Sequence, residues 1–66
     1  MDFNRVIQML IEERNSRLTA ARINSERGKP IASRKALDDA DHLSYAIKFF
    51  KRERKNFLDS QNRVGL

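Results

Sequence analysis

A chain of 66 residues with no cysteine and a net charge of +5 makes one small domain and excludes disulfide staples and thiolate metal sites. A chain this short buries only about 60% of its unfolded surface, so partner subunits are the expected source of further stability. No apolar run nears the roughly 18 residues of a membrane span, and Met1–Leu10 lacks a signal-peptide pattern. A soluble, cytoplasmic protein with no membrane contact is expected.

From the amino end, Phe3, Ile7, Leu10, Ile11, Leu18 and Ala21 fall on one face of a helical wheel, with Val6 at its margin. Asp2 is the expected N-cap. The pattern predicts a first helix over about 3–27. Gly28 fits the position just past a helix end, and Pro30 stops any continuation. Residues 28–32 are therefore read as a turn.

Ser33 is a favoured capping residue, and Ala32 and Leu37 have the spacing of a hydrophobic staple. A second helix is predicted over about 33–58, with Ala36, Ala40, Leu43, Ile47, Phe50, Phe57 and Leu58 as its stripe. The apolar pattern fades after Leu58, so 59–66 is read as a frayed tail. Two helices joined by so short a turn lie antiparallel to bury their stripes. The fold class is all-α: an antiparallel two-helix hairpin that assembles into a dimeric or higher-order helical bundle.

The assembly expectation comes from helix 2. His42, Tyr45 and Phe49 are spaced along a face roughly opposite the Leu43–Ile47–Phe50 stripe. In a lone hairpin that patch faces water, and exposed apolar patches mark contact surfaces. It reads either as an interface of a homo-oligomer or as a stacking platform for bases, with Lys48 and Arg52 beside it.

Charge supports an anionic partner. Residues 45–58 hold Lys48, Lys51, Arg52, Arg54 and Lys55 against the single carboxylate of Glu53. The bland alternative is a solvated helix end, where cations suit the dipole. Arg14 and Arg54 interrupt apolar stripes. Arg54, near the open end, is expected to snorkel. Arg14 either snorkels, pairs, or offers its guanidinium to an anionic ligand at a subunit interface. The candidate ligand-binding set is Arg14, Tyr45, Lys48, Phe49 and Arg52. A second candidate is an anion site at the hairpin corner, from Arg27, Lys29, Ser33, Arg34 and Lys35 around the first amides of helix 2.

Catalysis is not expected. Asp38 and His42 share a face one turn apart, but two ligands fall short of the three that a catalytic zinc recruits. His42 and Ser44 point apart on a helix, and no nucleophile turn or phosphate loop occurs. Asp38, Asp39 and Asp41 are read instead as cross-helix ion-pair partners of Arg17 and Arg22. No cofactor or metal is called for.

Ile23–Asn24, Pro30, Ser33–Arg34, Ala36–Leu37, Ala40, Asp41 and Leu43 follow one another in an order that can be compared with known families. Over Leu18 to Ile47, about 30 residues, the chain resembles the helical-hairpin domain of phage sponge proteins that counter CBASS and Thoeris immunity. The resemblance implies a phage-encoded homo-oligomer that sequesters an anionic cyclic nucleotide without chemistry, in the cytoplasm of the host cell. The charge admits two other functions: a basic hairpin regulator that binds RNA or DNA, and a small phage inhibitor that docks on a host protein or nucleic-acid machine.

Overall fold

The computed structural model describes residues 1–64, with side chains through Gln61. It contains two helices, α1 (Phe3–Glu26) and α2 (Pro30–Val64), and no strand among the described residues. The hairpin is antiparallel. Phe57 near the end of α2 packs on Phe3 at the start of α1, with ring centroids 5.8 Å apart. At the other end, Ser33 reaches Ala21.

Local signals set the ends of α1. The Asp2 side chain accepts from the Arg5 amide at 3.1 Å, while its carbonyl accepts from Val6. At the carboxyl end Gly28 has a φ of 71°, the left-handed conformation that L side chains avoid. Its amide donates to the Ser25 carbonyl, and the Lys29 amide donates to that of Asn24. This pair of bonds is the Schellman arrangement, which satisfies the last carbonyls of α1.

Helix α2 begins three residues before the predicted start. The Ser33 amide donates to the Lys29 carbonyl at 3.0 Å, so Lys29 is the capping residue and Pro30 the first helical one. Pro30 has no amide hydrogen to satisfy, and its ring fixes φ near the helical value. Proline here starts α2 rather than merely stopping α1. Ser33 is therefore not an N-cap, and the staple expected of Ala32 and Leu37 has no helix boundary to brace. The far end also differs from expectation: α2 runs to Val64, while the remainder of the expected tail lies outside the described residues.

The core is thin. Ile7 and Ala21 of α1 meet Ala36, Ala40 and Ile47 of α2, and Ser33 is buried beside them. Small side chains cluster at the closed end, while isoleucines and phenylalanines fill the open end. Ile7, Arg14 and Ala21 recur every seven residues, as do Ser33, Ala40, Ile47 and Arg54. A repeat of seven keeps one seam facing its partner and favours a gentle left-handed supercoil. At 1.5 Å per residue the 24-residue α1 is about 36 Å long and the 35-residue α2 about 52 Å. Because Phe57 already sits against the first residue of α1, the turns of α2 past Leu58 have no α1 residue opposite them.

Candidate functional site

Tyr45, Lys48, Phe49 and Arg52 line one shallow cleft of about 130 Å³ on α2. Their spacing puts them along one outer face of the helix, turned away from α1. Tyr45 is 75% exposed and Phe49 50%. The Phe49 ring meets Phe50 edge to face at 5.4 Å. Phe50 faces the hairpin interior, so the core braces one wall of the cleft. Exposed Lys48 and Arg52 supply the cations, and Lys51 and Lys55 continue the row toward the open end. None of these four cations has a carboxylate partner among the described residues, where the ion pairs all involve Arg17.

The cleft is below the roughly 300–1,000 Å³ of enclosed small-molecule sites. One chain therefore offers a platform and not a cage: an aromatic surface to stack a planar group, with fixed positive charge beside it.

Arg14 stands apart from this face. It occupies a seam position of α1, half-buried between the helices, and its Nε is a buried donor with no acceptor. The sequence grouped five residues, and the chain brings four of them together. Arg54 does not simply snorkel either: it is half-buried, and its guanidinium donates to Asn4 Oδ1 at 2.8 Å.

The corner is less available to an anion than the sequence implies. The amides of Arg27, Gly28 and Lys29 are spent on the end of α1, and that of Ser33 on Lys29. The Ser33 hydroxyl is buried and donates to the Ala21 carbonyl at 2.8 Å. Arg27, Lys29, Arg34 and Lys35 are exposed side chains around a helix start whose free amides are those of Ile31 and Ala32.

Of the three aspartates expected to pair across the hairpin, only Asp39 does. It lies 3.9 Å from Arg17, whose guanidinium is held at 3.0 Å by Glu13. His42 is pinned by its own helix: Nδ1 lies 2.7 Å from the Asp38 carbonyl, which can only accept, so Nδ1 carries a proton. Among the described residues no group of three or more His, Cys, Asp or Glu could hold a metal ion. None of the helices is long and apolar enough to cross a membrane.

No family model matches the chain, and no curated protein or solved structure matches it either. Its function is read from geometry and charge.

Proposed function

We propose that this chain is a non-enzymatic, homo-oligomeric binding protein that sequesters an anionic cyclic nucleotide on the outer face of α2. One observation carries the reading: Tyr45, Lys48, Phe49 and Arg52 share a cleft, so an aromatic platform and two unpaired cations meet in one place. A nucleotide presents a flat base next to a phosphate, and this pairing of surfaces suits both. Arg52 can meet a phosphate through two parallel N–H bonds, while Lys48 acts as a point charge. A cleft of this size would hold its ligand by stacking and charge, not by enclosure.

A second reading rests on the cation row itself. Lys48, Lys51, Arg52 and Lys55 extend well past the cleft, which suits a phosphate backbone longer than one small ligand. Titration of the purified protein with a cyclic dinucleotide and with a short RNA duplex separates the two. Saturable binding of the cyclic dinucleotide, lost in Tyr45→Ala, supports the sponge. Tight RNA binding with no cyclic dinucleotide binding overturns it in favour of a nucleic-acid regulator.

A further inference from the structure

The two flanks of the hairpin differ in kind. Arg17 bridges Glu13 and Asp39, and each of these carboxylates sits one residue before a seam position, Arg14 and Ala40. They mark a charged flank, which is also a cleft lined by His42 and Leu43. The opposite flank is formed by the residues four past each seam position: Ile11 and Leu18 on α1, Leu37 and Ser44 on α2. These rows carry no charge until Lys51. Leu18 is 44% exposed and Leu37 47%, so two leucines of this flank are half left to water.

We infer that a second copy of this chain packs on the Ile11–Leu18–Leu37–Ser44 flank, converting two hairpins into a four-helix bundle. Area supports the occupant. A compact monomer of 7.8 kDa exposes about 4,400 Å², whereas this chain exposes 5537 Å². Part of the excess of roughly 1,100 Å² lies on the turns of α2 past Leu58, and the total exceeds the roughly 800 Å² per partner of a standard specific interface. Shape is compatible: the molecule is a narrow rod of 59 × 15 × 13 Å with only two helices to share a core. A second hairpin laid along one flank supplies a second layer.

Charge decides which exposed face does this. Of the other exposed apolar patches, Met1, Phe57 and Leu58 at the open end border Arg54, and Lys48 and Arg52 rim the Tyr45–Phe49 face. Two copies meeting there would oppose like charges, while an anion would be welcomed. The Ile11–Leu18–Leu37–Ser44 flank carries no charge of its own, and its border mixes Arg22, Arg34 and Lys48 with Asp41, so opposite charges can meet across it. The inference stands apart from the nucleotide reading, since the assembly can be measured with no ligand present.

The chain has no cysteine, so single cysteines report position cleanly. Leu18→Cys, Leu37→Cys and Phe49→Cys would each be treated with a short bismaleimide at micromolar protein, with sedimentation velocity on the unmodified chain. The expected result is a wild-type species of twice the 7.8 kDa chain mass and covalent dimers from Leu18→Cys and Leu37→Cys in preference to Phe49→Cys. Leu18→Glu should shift the sedimenting species to a monomer, and Phe49→Glu should leave it dimeric. A wild-type monomer, or cross-linking confined to Phe49→Cys, overturns the proposal even if Leu18→Glu fails to fold.

Discussion

The Ser33 hydroxyl donates to the Ala21 carbonyl at 2.8 Å, tying the second turn of α2 to the last turns of α1. Residues twelve apart in sequence are joined by the smallest hydroxyl side chain, which allows the backbones to come close. The alanines Ala21, Ala36 and Ala40 make the same close approach possible along the closed end. Ser33→Ala should cost about 1 kcal/mol in urea denaturation, the usual net value of one hydrogen bond. The more telling variant is Ser33→Asp. At a helix start aspartate would be accepted, whereas at this buried position an unpaired carboxylate against a carbonyl should be far more damaging than alanine.

Gly28→Ala tests the turn. A Cβ there would meet no atom within 4 Å, so the cost is one of backbone conformation alone. At a φ of 71° that cost should be about 1–2 kcal/mol, with the helical circular dichroism of the folded state unchanged. A neutral substitution would mean that the turn can close without the left-handed residue.

Ile47→Ala removes the largest buried side chain of α2, 3% exposed in a core of five hydrophobic residues. A loss of about 2–5 kcal/mol is expected, enough to unfold much of the population of so small a domain. Thermal melts followed by circular dichroism would read it, and a loss under about 1 kcal/mol would mean the seam is not the core.

Arg14→Met asks what the buried Nε is for. A donor without an acceptor is a cost, so an apolar side chain of similar reach should leave stability unchanged or raise it by about 1 kcal/mol. Destabilisation beyond about 1 kcal/mol in chemical denaturation would reveal an acceptor for Arg14 in solution.

Neutralising Lys51, Arg52 and Lys55 together addresses the cation row. For a nucleic-acid binder the slope of log affinity against log salt should flatten by about 0.9 for each duplex phosphate that the variant no longer neutralises. For a nucleotide held on the aromatic cleft, Tyr45→Ala should be the more harmful change, and the triple variant should mainly slow capture.

Much of this architecture was legible beforehand because single residues announce it. Asp2 and Gly28 have one good local use each, and both are found in it. Pro30 has two, ending one helix or opening the next, and the first use alone puts the start of α2 three residues late. With that start Ser33 has the position of a cap, although its buried hydroxyl acts across the hairpin. The far end differs for another reason. Apolar periodicity reports what a helix packs against, so it fades at Leu58, where α1 runs out, while the backbone continues to Val64. The cleft residues were found because an aromatic face opposite a core stripe shows in spacing alone. The Arg17–Asp39 contact and the lone Nε of Arg14 depend on inter-helix register and side-chain rotamer, which spacing along one helix does not encode.

The unequal lengths of the two helices make the end of α2 a built-in reporter. Amide protons of Asp59, Ser60 and Gln61 are held by helix hydrogen bonds but shielded by no neighbouring helix. In deuterated buffer they should exchange through local fraying, many times faster than those near Ala40, whose release requires the whole hairpin to open. Anything that settles on that projecting cylinder would slow their exchange first, before the rest of the molecule registered an encounter.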